Sequence, residues 1–539
     1  MKAPRTILNA VRDHVKNYPH HGGFKFISRR GEEGELVTWT QLWNEAIRIA
    51  AAMPEMPDPS RTGVLIFCDE GRQFVPSLLA TWIRGATAIP ATGGLTVNLS
   101  ERNAHILATA RPEVILHDLP ANQIADLAAL SPDSIVIDAT MAAPLTEIGS
   151  VPIHTSGGGL LQFTSGSTAM PKAVRLGPEE LALNCIAIER AYGLDRDSVG
   201  VHWLPLYHDM GLVGSVLVAL WAGLLSVVMR PSIFIQSPQT WLREIDRYNA
   251  TITSAPNFAF DRLTRQIDPH TLEGLNLSSL EAVVVGGEPV AETTVDALLD
   301  LLGPHGLKPQ AIAPSYGLAE AVLLVSSGQT ANGPIFRQSD NGESHADLGM
   351  PIKDIALTIR NPETGKPAND GDTGEVWIEG PGCGLVIPAG SDWRMPLDKV
   401  RIHTGDHGLI ENGNLYIIGR DADRIILRGR NLFAEEVEAA VRASQTGLAI
   451  PDGLLAFGVE QEGSQSLYLI AEQSPRAPDL DYAALNKAIA ARFGVKCDKV
   501  IVLQRGTLPR TTSGKIRRNT AKHAYLAGNY QAKVLDYVT

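Results

Sequence analysis

The sequence predicts an α/β fold in two domains. Residues 1–419 form a large N-terminal domain of mostly parallel sheets with helices, including a small antiparallel β subdomain from about 347, and residues 420–539 form a small α+β C-terminal domain. Three observations predict this. A chain of 539 residues exceeds the size at which one hydrophobic core stops growing. Apolar strand-like runs alternate with helical patterns, which marks βαβ units and a parallel sheet. From about Asp347 the texture changes to short strands and turns, and it changes again near Gly419 and Arg420.

The elements follow in order. The N-terminal MKAPRTILNAVRDHVKNYPHH scatters its charges and lacks the apolar core of a secretory signal. TGVLIFC reads as a strand, VPSLLATWIRG as a helix, and ATAIP, PEVILHD and SIVIDAT as further strands. MGLVGSVLVALWAGLLSVVM, from Met210 to Met229, is uncharged over a length that could cross a bilayer. Gly211, Gly214 and Gly223 interrupt it, so it reads as a buried helix ending near Gly223 and a strand, LLSVVM, bounded by Arg230 and Pro231. No transmembrane segment is expected. ATITSAP, LEAVVVGG and PQAIAPSYG each end in small or turn residues, at the strand ends where open α/β sheets bind ligands. ETGKPANDGDTGEVWIEG and ENGNLYIIGR read as antiparallel hairpins. AEEVEAAVRAS, LLAFGVE, SLYLIAE and DYAALNKAIAARFG supply the helices and strands of the C-terminal unit.

Composition narrows the function. With 44% apolar and 20% charged residues the chain has ordinary globular composition, not that of a disordered one. A formal charge of -12 argues against a general attraction to nucleic acid or anionic membrane, so partners must be met by local patches. Cys68, Cys185, Cys383 and Cys497 lie far apart, with no CxxC and no histidine at zinc-ligand spacing, which indicates a reducing, cytoplasmic setting. His403 and His407 are four apart in HTGDHG, but Gly405 between them argues for a loop, and no metal site is read from them.

Residues 161–174, LQFTSGSTAMPKAV, carry the first chemical signal. Glycine and small hydroxyl residues let backbone N–H groups turn inward as a nest; Thr164, Ser165, Ser167 and Thr168 around Gly166 add donors, and Lys172 adds a positive charge. That combination suits a phosphate cradle. GxxxxGK[ST] is absent, which disfavours a P-loop kinase or GTPase. Taken alone, the stretch reads equally well as a solvent loop rich in Ser and Thr.

Five further motifs follow in order: WLPLYHDMGLVG, SYGLAEA, HTGDHG, YIIGRDADRIILRGRN and LPRTTSGKIRR. Together with LQFTSGSTAMPKAV they resemble the adenylate-forming superfamily of acyl-CoA synthetases, peptide-synthetase adenylation domains and luciferases, over nearly the whole chain. LPLYHDMGLVG, SAPNFAFD and GEPV are most similar to fatty acyl-AMP ligases. The resemblance implies ATP and Mg2+ as cofactors, a fatty acid as substrate and a mobile C-terminal domain. It further implies that Thr164, Ser165, Gly166, Ser167 and Thr168 hold the triphosphate with Lys172, and that Glu320 binds Mg2+, a hard cation that takes oxygen ligands. Tyr316, followed by Gly317, would stack on adenine, with Gly287 and Glu288 lining the pocket. Asp406 would accept the ribose hydroxyls, Arg420 would reach ribose or phosphate, and His208 would gate the acyl chain. Lys515 would stabilise charge on the transferring group.

Each residue also has a bland reading. Glu320 suits a helix N-terminus, Asp406 a turn, His208 a satisfied core position and Lys515 a solvated basic face. Ala169 and Ala173 stand where the family often has glycine, Ala422 occupies the hinge position, and IFRQSDNGESHADLGMP is short for the segment that disfavours coenzyme A. The thiol acceptor is therefore an acyl carrier protein or coenzyme A. A catalytically inactive nucleotide- or lipid-binding relative is the reading from another class, and the presence of Glu320 and Lys515 disfavours it. Lys515 being assigned to adenylation, Arg510, Arg517, Arg518 and Lys522 are the expected docking cations for an acidic carrier.

Overall fold

The computed structural model describes residues 5–27, 34–68, 71–91, 101–141, 151–154, 158–164, 171–339, 344–396, 398, 401–427, 430–443, 453–461, 464–473, 481–510, 516–530 and 534–538. Two seven-stranded sheets dominate it. The first runs Gly23–Phe26, Leu225–Val228, Val199–His202, Ile252–Ala255, Ala282–Gly286, Ile312–Gly317 and Leu324–Ser327, and only its last pair is antiparallel. The second runs Leu385–Ile387, Lys172–Leu176, Leu160–Thr164, Thr87–Pro90, Gly63–Phe67, Val114–His117 and Ile135–Asp138, parallel from Leu160–Thr164 onward. Parallel strands buried on both faces need continuous apolar runs, and Gly63–Phe67 is buried at every position.

Helices cover these sheets, and their ends are written in the sequence. Trp39–Ala52 opens with a capping box in which Thr38 and Gln41 satisfy each other's backbone N–H. Pro178–Tyr192 starts on proline, carries Glu179 and Glu180 in its first turn, and stops at Gly193 in the left-handed region. The uncharged stretch from Met210 is a short helix, Asp209–Gly211, a π-helical turn, Leu212–Leu217, and a helix, Val218–Ala222. Gly223 ends it at φ +84°, and strand Leu225–Val228 follows. A Cβ at Gly223 would lie 2.7 Å from the His14 ring, so both backbone and packing call for glycine. Among the described residues no helix is long and apolar enough to cross a membrane.

An antiparallel four-stranded sheet, Ala356–Arg360, Gly374–Glu379, Ile402–Glu411 and Asn414–Arg420, follows the parallel part. Asn412 and Gly413 turn its last hairpin with positive φ at both positions, the backbone an Asn-Gly pair supplies. From Ile425 onward, buried apolar side chains form two clusters of their own, around the strands Leu454–Gln461, Ser464–Gln473 and Lys499–Gln504.

Candidate active site

The site lies where strands of both large sheets and the antiparallel sheet end. Thr164 closes strand Leu160–Thr164, and its register partner Lys172 opens strand Lys172–Leu176, so the Ser/Thr-Gly stretch joins two paired strands. Ser165, Gly166, Ser167 and Thr168 lie outside the described residues, as does Lys515. Gln162, one strand residue before Phe163, is buried and donates from Nε2 to the Tyr207 carbonyl at 2.7 Å, which ties this hairpin to the YHDMG segment. There His208 Nδ1 meets Asp209 Oδ1 at 2.6 Å at the start of Asp209–Gly211, with about a third of the His208 side chain exposed.

Glu320 sits in a short 3-10 turn, Ala319–Ala321, immediately after strand Ile312–Gly317. The turn folds back sharply. Leu323 N donates to the Ala321 carbonyl at 2.8 Å, which places Val322 at φ +68° and ψ −63°, a strained γ-turn for a β-branched residue. Gly317 lies close under this loop, where a Cβ would collide with the Leu323 carbonyl oxygen. Asn184, buried in helix Pro178–Tyr192, holds the loop from below: its Nδ2 donates to the carbonyls of Ala321 at 3.0 Å and Leu324 at 2.8 Å, and its Oδ1 accepts from Leu324 N at 3.0 Å. From above, Gly384 N donates to the Glu320 carbonyl at 2.8 Å. Burial raises the Glu320 carboxyl above the usual carboxylate range; Asp209 adds to this, while Lys172 and Arg420 oppose it. Asp209, Lys172 and Arg420 belong to three other motifs, so residues far apart in the chain act on this one carboxylate.

Asp406 on strand Ile402–Glu411 is buried, with each oxygen held by a different partner. Tyr316 Oη donates to Oδ2 at 2.6 Å, and Arg420 Nε donates to Oδ1 at 2.8 Å. Arg420 is also the strand-register partner of Asp406. Burial and the Asp406 carboxylate push the Tyr316 phenol well above its ordinary value, so it stays a donor. A carboxylate offers about four lone-pair sites, so Asp406 retains acceptor capacity for a pair of hydroxyls. Gly287 has φ +71°, and Glu288 Oε2 accepts from Phe258 N at 3.0 Å at the start of helix Asn257–Gln266.

Sequence reasoning missed Gln162 and Asn184. Neither belongs to the chemistry; each is a buried amide whose only signal is a polar residue on an otherwise apolar face. Two readings need correction. His403 and His407 lie on the strand Ile402–Glu411 and not in a loop, because Gly405, at φ +78°, is accommodated within the strand. Arg518 is not available for docking: it is buried against Asp423 at 3.0 Å, Glu435 at 3.7 Å and Glu438. Arg510 pairs with Glu472 at 3.0 Å. The linear cluster of cations looked like one surface patch, but the fold turns two of them toward carboxylates.

Residues 11–385 match the AMP-binding enzyme family, and the chain belongs to that family. Within it, the chain is 29% identical to the medium-chain-fatty-acid–[acyl-carrier-protein] ligase JamA of Moorena producens, over 94% of this chain and 92% of that protein. It is 29% identical to the long-chain-fatty-acid–AMP ligase FadD32 of Mycolicibacterium smegmatis, over 92% and 90%. Among solved structures it resembles the fatty acyl-adenylate ligase of L. pneumophila in complex with acyl adenylate and pyrophosphate, with TM-score 0.72, 25% identity and coverage of 99% and 98%. The fold is shared with the McyG A-PCP structure complexed with phenylalanyl-adenylate, with TM-score 0.85, 23% identity and coverage of 99% and 97%.

Proposed function

We propose that this chain is an adenylate-forming ligase that activates a medium- or long-chain fatty acid with ATP and passes the acyl group to the phosphopantetheine thiol of an acyl carrier protein. In the first step a carboxylate oxygen of the acid bonds to the α-phosphorus of ATP and pyrophosphate leaves. In the second the thiol sulfur, losing its proton, bonds to the acyl carbon and AMP leaves. Asp406, held between Tyr316 and Arg420 and beside the Glu320 loop, carries this reading, since it offers a preorganised acceptor for a ribose next to a carboxylate suited to a metal–triphosphate. Glu320 fits Mg2+: it is an oxygen donor, and its burial leaves the carboxylate with less water to solvate it, which a bound cation would offset. The ion, when bound, neutralises triphosphate charge. Lys172 and Arg420 bring fixed positive charge to the same side, and Lys515 is assigned to the charge that develops on the transferring group.

The substrate class is read from the residues around the YHDMG and SAPNFAFD segments. Asn257 stands where an amino-acid-activating site needs a charged partner for the ammonium group, yet it is neutral and engaged: Oδ1 accepts from Ala291 N at 3.1 Å and Nδ2 donates to Thr294 Oγ1 at 3.3 Å. Behind the YHDMG segment, Leu212 to Trp221 is apolar apart from Ser215, and nearly all of it is buried. That environment favours an aliphatic chain. The names of JamA and FadD32 agree with it. Coenzyme A is the rival acceptor, favoured by the short stretch around the hairpin Phe336–Gln338 and Ser344–Ala346.

Pyrophosphate exchange with a panel of free fatty acids and amino acids, followed by mass spectrometry with coenzyme A or a holo carrier, tests all parts. Exchange with C8 to C16 acids and transfer to the carrier is expected. Exchange only with amino acids overturns the substrate, and efficient acyl-CoA formation with no carrier transfer overturns the acceptor.

A further inference from the structure

Three metal-ligating side chains from three segments, Glu375, His403 and Asp421, converge near Asp406, and His407 faces one of them. Glu375 and His407 are register partners across strands Gly374–Glu379 and Ile402–Glu411, and His403 pairs with Trp377 on the same two strands. Between these pairs the register shifts, a bulge beside which Glu375 approaches His403. Asp421 opens the 3-10 turn Asp421–Asp423 directly after strand Asn414–Arg420. Its carboxylate lies between the two imidazoles: His403 Nε2 is 3.3 Å from Oδ2, and His407 Nε2 faces Oδ1. His403 Nε2 is 3.9 Å from Glu375 Oε2, and single donor atoms of Glu375, His403 and Asp421 all lie within 4.8 Å of one another. His407 is 8% exposed, and its Nε2 points at Asp421 without completing a hydrogen bond. Trp377 supports the group from behind, donating from Nε1 to Glu375 Oε2 at 3.2 Å and stacking on the His403 ring at 4.9 Å.

We propose that Glu375, His403 and Asp421 form a binding site for a transition-metal ion of the zinc class, separate from the Mg2+ position at Glu320. One imidazole and two carboxylates give three protein donors, the number that a four-coordinate Zn2+ site takes when water fills the fourth position. Mg2+ prefers oxygen donors and keeps much of its water, so the magnesium that accompanies ATP does not compete for imidazole nitrogen. A bound ion neutralises Glu375 and Asp421 together. Trp377 fixes Glu375 and His403 as an outer-shell residue does in metal sites. The site also has a mechanical consequence. Asp421 is the neighbour of Arg420, which holds Asp406, and Asp406 lies between the two histidines in sequence. An ion that joins Asp421 to strand Ile402–Glu411 therefore anchors Arg420 on the nucleotide aspartate and restrains the chain that leads into the C-terminal residues.

The test uses the purified full-length chain, stripped with a chelator and titrated with Co2+ and then Zn2+ in excess Mg2+. We expect one Co2+ per chain with the strong visible bands of four-coordination, displacement by Zn2+, and slower hydrogen exchange across residues 420–427 when Zn2+ is bound. His403→Ala and Asp421→Asn should each weaken binding by tenfold or more, at or beyond the roughly 10- to 100-fold seen even for outer-shell partners. Glu375→Gln, nearly isosteric and partly exposed, provides a third variant least disturbing to folding, and thermal melts establish that each variant is folded. Absence of stoichiometric Co2+ binding overturns the proposal. So does binding that the His403→Ala/Asp421→Asn double variant leaves unchanged, because the ion is then held elsewhere.

Discussion

Glu320 and Asn184 divide the work at the residue scale. Glu320 offers charge, and Asn184 positions the loop that carries it. Glu320→Gln keeps the shape but removes the metal-holding charge, so pyrophosphate exchange should fall by about a hundredfold, the usual loss for one preorganised electrostatic group. Exchange near wild type at saturating Mg2+ contradicts the metal role. Asn184→Leu leaves the Ala321 and Leu324 carbonyls and Leu324 N without their side-chain partners inside the protein. Unsatisfied buried groups cost about 1–3 kcal/mol each, so the variant should melt several degrees lower and lose exchange activity together with stability. Full activity with a lowered melting temperature would show that the γ-turn at Val322 holds Glu320 without help.

At the element scale, tight turns fix where helices and strands stop. The turn that ends Val218–Ala222 is one: Gly223→Ala forces a Cβ into the left-handed region and against His14, and should cost about 1 kcal/mol or more. Denaturant melts measure it, and an unchanged midpoint would mean that the helix end relaxes freely. Thr164 and Lys172 are register partners at the ends of two paired strands, so strand pairing fixes both ends of the Ser/Thr-Gly stretch. Lys515 belongs to another element, the TTSGKIRR segment. Lys515→Ala should nearly abolish adenylation, by a hundredfold or more, yet spare attack of the thiol on preformed acyl-AMP. Equal loss in both half-reactions, measured separately, removes the division of labour.

Across the whole molecule, Arg518 ties distant parts of the sequence together. It joins Asp423, next to the strand that carries Arg420, to Glu435 and Glu438 on helix Ala434–Ala443. Burial holds the Glu435 carboxyl up at about 7, against the pull of Arg518, above its ordinary 4.5. A group whose folded value is raised binds more protons folded than unfolded, so its contribution to stability is present below about 4.5 and is lost as pH rises through about 7. Denaturant melts from pH 5 to 8 should show this decline in the wild type and a flatter profile in Glu435→Gln; identical profiles would rule it out. Because the Arg518 side chain is taken up by Asp423, Glu435 and Glu438, the docking proposal rests on Arg517, which is exposed, and Lys522. Arg517→Glu should raise the Michaelis constant for an acidic carrier, most strongly at low salt where long-range charge is least screened.

The sequence alone determined whatever depends on local order. Alternating apolar runs, capping residues, the Asn412–Gly413 turn and the glycine interruptions after Met210 specify elements because neighbouring residues decide backbone conformation. The six ordered motifs likewise named the family before any contact was known, since their chemistry is carried by contiguous residues. The tertiary structure alone decided what depends on partners far apart in the chain. Gln162 binds a carbonyl forty-five residues away, and Asn184 clamps a loop more than a hundred and thirty residues away. Arg518 turns from a surface cation into a buried one only because Glu438 and Asp423 come to meet it. Glu375, His403 and Asp421 show no metal spacing in the linear sequence, for a strand bulge and the turn after Arg420 set their distances. Burial, charge pairing and ligand geometry are properties of space, and a linear order of residues holds them only where the partners are neighbours.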